Sequence, residues 1–271
     1  MNSFLKKVAI VTGSTSGIGQ QTALLIARNG GSVVIHGQNE GRMKKTLELF
    51  AKEKIPEDRI LSILGPVQKS ELRKKLIDET VKKFGRLDIL VNNAGVSSNK
   101  PLCLEECDRV FDINAKSVFA LSQLAIPHLS QSKGNIVNVS SDATILGAPM
   151  LLNYSMSKAA LEQQVKNLAI MFASDGIRVN GVCVGLTTTN IGEGFGVPEA
   201  MFEEVFDKYV KLNVPQRRFA QPVEVAKVIE FLASDRASYV TGSMYIVDGG
   251  QACGAAYDQP KPKEKKQKKQ K

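Results

Sequence analysis

Two residues four positions apart, Tyr154 and Lys158, carry the chemistry most directly legible in this chain. They stand in Asn153-Tyr154-Ser155-Met156-Ser157-Lys158, at the start of a stretch, Tyr154 to Ser174, whose pattern predicts a helix. One helical turn puts both side chains on the same face. A phenol titrates near about pH 10 and exchanges protons poorly at neutrality unless a nearby positive charge favours its ionised form. Lys158 is placed to supply that charge. The spacing alone is also that of an ordinary exposed Tyr and Lys on a helix, so the elements around the pair decide its meaning.

Those elements alternate. Lys6 to Thr12 reads as a strand that runs into Thr12-Gly13-Ser14-Thr15-Ser16-Gly17-Ile18-Gly19, and Gln20 to Asn29 follows as a helix. Strand, glycine-rich turn and helix together form a cradle for a pyrophosphate, which free N–H groups at the helix N-terminus would meet. Further strands are expected at Ser32 to His36, Arg59 to Leu64, Leu87 to Val91, Asn135 to Ser140, Ile177 to Cys183 and Ser243 to Val247. Helices are expected between them, at Asn39 to Lys54, 68–84, Leu104 to Phe111, Ala115 to Leu129 and Gln221 to Ala233. The pattern predicts an α/β fold: one Rossmann-type, doubly wound parallel sheet with helices on both faces and ligands beyond the carboxyl ends of the strands. The loose segment Gly185 to Gly196, followed by Met201, Phe202, Val205 and Phe206, could form a lid.

At 271 residues and 43% hydrophobic, the chain suits one large domain, here placed at 1–257. No apolar run is long enough to span a bilayer, and no signal-peptide pattern opens the chain; the expected place is the cytoplasm. Cysteines at 103, 107, 183 and 253, with two histidines in all, match neither a disulfide framework nor a metal pattern. The net charge of +9 is concentrated in a tail, 258–271, where seven lysines oppose two acids. Such a segment is expected to be disordered, and without aromatic residues it offers nucleic acid no specific contact.

Together, Thr12-Gly13-xxx-Gly17-x-Gly19, Asn92-Asn93-Ala94-Gly95, Asn114, Ser141, Tyr154-xxx-Lys158 and Val247-Asp248-Gly249-Gly250 resemble the short-chain dehydrogenase/reductase family over residues 4–251. The resemblance implies hydride transfer between a nicotinamide and a carbonyl or secondary alcohol. Tyr154 would exchange the proton, Lys158 would lower its pKa and bind the ribose, Ser141 (rather than Ser140) would hold the substrate oxygen, and Asn114 would hold a relay water. It also implies a nucleotide held by Gly13, Thr15, Ser16, Gly17, Ile18, Gly19, Gln38, Arg42, Val67, Asn93, Ala94, Gly95, Gly185 and Thr189, with Tyr154 and Lys158. Helices Ala115 to Leu129 and Tyr154 to Phe172 resemble those that pair family members into homodimers and homotetramers, with Leu121, Leu124, Leu161, Leu168 and Ile170 as available apolar residues.

Two positions depart from the family pattern: Pro66 replaces an aspartate that contacts adenine, and Val184-Gly185 replaces Pro-Gly. The second strand ends in His36-Gly37-Gln38, without the acid that would repel a 2′-phosphate, and Arg42 follows one turn later. NADP(H) is therefore expected over NAD(H). Ile145, Leu146, Met150, Leu151, Phe195, Met201 and Phe202 predict an apolar substrate such as a lipid, steroid, retinoid, quinone or xenobiotic carbonyl. The alternative is a nucleotide-binding scaffold that has the fold and little turnover.

Overall fold

The computed structural model describes residues 3–189 and 207–257. Of the expected lid, Gly185 to Gly196 followed by Met201, Phe202, Val205 and Phe206, only residues 185–189 are described, and the lysine-rich tail lies outside the described residues. Seven parallel strands, β1 (Val8–Val11), β2 (Ser32–Gly37), β3 (Ile60–Leu64), β4 (Ile89–Asn92), β5 (Asn135–Ser141), β6 (Arg178–Val184) and β7 (Met244–Val247), form one sheet in the order β3-β2-β1-β4-β5-β6-β7. The helices between them are α1 (Gly17–Arg28), α2 (Glu40–Lys52), α3 (Ser70–Phe84), α4 (Leu104–Phe111), α5 (Ser117–Ser132), α6 (Leu152–Phe172) and α7 (Pro222–Ala233).

Alternate strand residues face opposite layers. Ala9, Val11, Val33, Ile35 and Val91 pack with Leu24, Ala27, Phe50 and Ile229 of α1, α2 and α7. Ile10, Val34, Leu90 and Ile136 pack with Leu76, Leu121, Leu129 and Val165 of α3, α5 and α6. Burial on both faces explains why the strands are almost continuously apolar. All strands run the same way, so their carboxyl ends share one edge, and the order reverses between β1 and β4. A cleft opens there.

Three boundaries differ from expectation in ways that matter to the site. Helix α1 begins at Gly17, because the glycines of the turn, poor helix formers by propensity, already form its first turn. A π-helical turn, Asp112–Lys116, joins α4 to α5 and carries Asn114 fully inward. Strand β5 runs one residue further than expected, so Ser141 pairs with Val184 at the sheet edge. Of the leucines expected to serve pairing of copies, Leu121, Leu161 and Leu168 are buried in the core, whereas Leu124 and Ile170 are exposed. Among the described residues, no helix is long and apolar enough to cross a membrane.

Candidate active site

The cleft has a volume of about 800 Å³, within the range of small-molecule sites. Its floor is the turn after β1, fastened to the turn after β4. Thr12 Oγ1 accepts from the N–H groups of Asn93 and Ala94, both at 3.0 Å, and Asn93 Nδ2 donates to Thr12 O and Gly13 O at 2.9 and 3.0 Å. Gly13 adopts a φ of +63°, and a Cβ there would lie 2.9 Å from Ala94 Cα, so no larger residue fits without a shift. The Gly13 N–H also donates to Nδ1 of His36, whose Nε2 lies 3.0 Å from Gly65 O. These partners assign the neutral Nε2–H tautomer, and burial pushes the His36 pKa down in the same sense. His36 thus braces the glycine turn.

Thr15, Ser16, Gly17 and Ile18 line the cleft, but Gly19 does not. A Cβ on Gly19 would meet Asn93 Nδ2 at 2.4 Å and Gly13 O at 2.5 Å, so its glycine serves the packing of the two turns. The first turn of α1 contains no acid, and the Ser16 side chain caps none of its N–H groups. Those donors, with the positive end of the helix dipole, fit a diphosphate. Gln38, Asn39 and Arg42, which follow β2, line the cleft, as do Val67, Ala94, Gly95, Gly185 and Thr189, with Thr189 beside Gly17. Asn93 also lines it, with its side-chain amide already engaged by the glycine turn.

On the opposite wall, α6 and the end of β5 bring Ser141, Tyr154 and Lys158 together. The Ser141 hydroxyl stands close enough to Tyr154 to favour its ionised form. Lys158 Nζ lies 5.6 Å from the Tyr154 ring centroid and donates to Val139 O at 2.7 Å. The expectation that Lys158 lowers the phenol pKa is not met here. Burial, with a smaller contribution from Asp142, pushes Tyr154 up to about 12, against the opposing effect of the Ser141 hydroxyl. Burial likewise pulls Lys158 down to about 8, opposed by the negative charge of Glu162. Desolvation is the largest cause for both groups.

Asn114 lies behind this wall and off the cleft surface. Its Nδ2 donates to Val96 O and Ser157 Oγ, and its Oδ1 accepts from Val96 N. A Cβ on Gly95 would lie 3.3 Å from Lys158 Nζ and 3.4 Å from Asn114 Oδ1, so Gly95 leaves room between the cleft and both residues. Ser140, the other candidate hydroxyl, also lines the cleft but is engaged, donating to Glu162 Oε1 at 2.6 Å.

Glu162 was not singled out from the sequence, although it stands one turn beyond Lys158 on the same face. Thr144 Oγ1 lies 2.6 Å from Glu162 Oε1 and 2.8 Å from Ser141 O, so one carboxylate steadies the chain on both sides of Ser141. Asp142 was also passed over. Its carboxyl lines the cleft 3.4 Å from Ser141 Oγ, and burial together with the nearby Asp248 raises its pKa to about 6. Of the apolar residues expected beside the substrate, Leu151 lines the cleft; Ile145 and Met150 are exposed near it, and Leu186 and Phe219 line it instead. Phe195, Met201 and Phe202 lie outside the described residues.

This geometry, a dinucleotide-sized cleft at the switch point of a parallel sheet with a tyrosine, a lysine and a serine on its wall, has counterparts in known proteins. Residues 13–252 match a family model described as enoyl-(acyl carrier protein) reductase. The chain is 38% identical over 250 residues to a 3-oxoacyl-(acyl-carrier-protein) reductase of Thermotoga maritima, covering 90% of this chain and 97% of that protein. It is 37% identical to a cyclohexanol dehydrogenase of Acinetobacter, covering 92% and 96%. A short-chain dehydrogenase/reductase from Caenorhabditis elegans, solved with its cofactor, superposes with a TM-score of 0.88 at 32% identity, covering 93% and 97%. The chain belongs to the short-chain dehydrogenase/reductase family, and is an NAD(P)-dependent oxidoreductase acting on alcohols or carbonyls.

Proposed function

We propose that the protein reduces ketones or aldehydes with NADP(H), and that Tyr154, Ser141, Lys158 and Asn114 perform the proton chemistry. The observation that carries this reading is the grouping of Ser141, Tyr154 and Lys158 on one wall of the cleft, with Lys158 Nζ 5.6 Å from the phenol ring centroid. When bound, the nicotinamide supplies the hydride. Ser141 holds the carbonyl oxygen and steadies it as negative charge develops. Tyr154 donates its proton to that oxygen; a phenol held up at about 12 keeps its proton at neutral pH and has it to give. Lys158 binds the ribose hydroxyls and passes a proton back, with Asn114 behind it holding the relay water.

Gly13, Thr15, Ser16, Gly17 and Ile18 hold the diphosphate, with Gly19 shaping the turn. Val67, Asn93, Ala94 and Gly95 border the adenosine and ribose, and Gly185 and Thr189 border the nicotinamide. The NADP(H) preference rests on His36-Gly37-Gln38, which offers no carboxylate, and on Arg42 at the same end of the cleft. Leu151, Leu186 and Phe219 support a largely apolar substrate. Phe119, Leu124, Ile170 and Met171, exposed on α5 and α6, support pairing of copies into a homodimer or homotetramer.

Titration with NADPH and NADH, followed by nicotinamide fluorescence, tests the cofactor assignment. A charge-assisted contact to the 2′-phosphate should make NADPH bind about tenfold tighter or more. Tighter NADH binding would instead place the ribose hydroxyls on Gln38.

A further inference from the structure

We propose that Glu162 is a positioning residue for the reaction: its carboxylate fixes the segment that carries Ser141 and, by its charge, keeps Lys158 protonated for the cofactor. The inference rests on the roles proposed above for Ser141 and Lys158.

Tyr154, Lys158 and Glu162 stand at successive turns of α6, so one face of a single helix carries all three. Glu162 is half-buried, and its Oε1 gathers polar groups from the end of the sheet. Ser140 donates to it at 2.6 Å, the Thr144 hydroxyl lies 2.6 Å away, and the Cys183 thiol donates at 3.5 Å. Burial first, and then the charge of Glu162, raise that thiol to about 12, so it stays a donor. Ser140 and Cys183 are partners across β5 and β6, and Thr144 also reaches Ser141 O at 2.8 Å. Ser141 is thus held through the residue before it and through the turn after it, both by one side chain.

The same carboxylate acts on Lys158. Burial pulls the Lys158 pKa down to about 8, and the negative charge of Glu162, one turn away, is the force in the other direction. The other ionisable groups of the elements packed on α6 are engaged or act elsewhere. Glu106 pairs with Arg109 on α4, Asp112 pairs with Lys116 on the π turn, and Arg178 is tied to Leu232 O and Ser234 O. Asp142 acts on Tyr154 and Cys183. Glu105, Cys107 and Asp108 on α4, His128 on α5 and Lys166 on α6 exert no charge effect on Lys158.

The test compares Glu162→Gln, which keeps an acceptor oxygen and loses the charge, with Glu162→Leu, which loses both. NADPH affinity is read by nicotinamide fluorescence across about pH 6–10, a range that spans Lys158 near 8. In the wild type, binding should weaken as pH rises through that midpoint, because Lys158 loses the charge that attracts the anionic cofactor. In Glu162→Gln the midpoint should fall by about one pH unit, the effect of removing one charge a turn away in a poorly hydrated site. The 2′-phosphate titrates near about pH 6 in both proteins and cancels. Glu162→Leu should show the same shift, and its kcat for cyclohexanone should be about tenfold below that of Glu162→Gln at equal pH, because Ser141 is no longer held. If Glu162→Leu does not fold, as judged by its melting curve, Thr144→Val removes one hydroxyl and should lower kcat severalfold with the midpoint unmoved. Equal midpoints in the wild type and Glu162→Gln, or no midpoint in the wild type, overturn the effect on Lys158. An undiminished kcat in Glu162→Leu or Thr144→Val overturns the hold on Ser141. NADPH binding without reduction of cyclohexanone would overturn the reductase reading instead, and the midpoints would still decide the effect on Lys158.

Discussion

Tyr154→Phe is expected to lower kcat by about 10²–10⁴-fold, the usual contribution of a positioned acid or base, while NADPH binding stays nearly unchanged. The reasoning is local. The phenol stands on the cleft wall beside both Ser141 and Lys158, and phenylalanine removes its oxygen while keeping the ring. The ring is buried, so the fold should tolerate the change. Steady-state reduction and nucleotide fluorescence on the same preparation separate the outcomes. Full turnover in the variant would remove Tyr154 from the mechanism; loss of nucleotide binding as well would mean that the ring shapes the cleft.

Lys158→Met is expected to cost activity by a comparable factor and to leave the folded state about as stable as the wild type at neutral pH. Burial holds Lys158 at about 8, below its ordinary value of 10.5, so the folded protein carries a charge it would rather not hold. Removing that charge stabilises by an amount on the order of a few kcal/mol. The Val139 carbonyl then loses its donor, at a cost of about 1–3 kcal/mol, and the two effects largely offset. The pH dependence has a definite sign. A depressed folded pKa gives stability that is present above 10.5 and is lost as pH falls toward 8, because the unfolded chain binds the proton first. Between about pH 8 and 10.5 the wild type should therefore gain stability relative to Lys158→Met, as read from paired denaturant curves. A constant or opposite difference would mean that Lys158 is not buried as described.

These two residues were legible because their chemistry depends on a spacing that any helix reproduces. The glycine turn was legible for a similar reason: a strand that ends in several glycines before a helix has few other uses. Period-two alternation was concealed by burial on both faces, yet the strand and helix order still specified a doubly wound sheet. What the chain order did not reveal depended on contacts between distant segments. Gly19 was read as a phosphate contact, but its neighbour is Asn93 of another turn. Asn114 is turned inward by a π turn that no periodicity announces. The effect of Lys158 on Tyr154 was judged by charge and distance alone, whereas burial, which a linear sequence does not display, dominates both groups. Glu162 and Asp142 were missed because an acid in a helix or after a strand is ordinarily a solvated residue; only the folded neighbours, Ser140 and Thr144 in one case and Ser141 and Asp248 in the other, give them meaning.

The most direct test of the central claim follows the hydride itself. Reduction of cyclohexanone with NADPH deuterated at the transferable C4 position should place the label on the carbinol carbon of cyclohexanol, and Tyr154→Phe should suppress that transfer. Label on the carbinol carbon would establish hydride passage between nicotinamide and carbonyl within this cleft. NADPH oxidised without deuterium in the product, or label transfer undiminished in Tyr154→Phe, would contradict it.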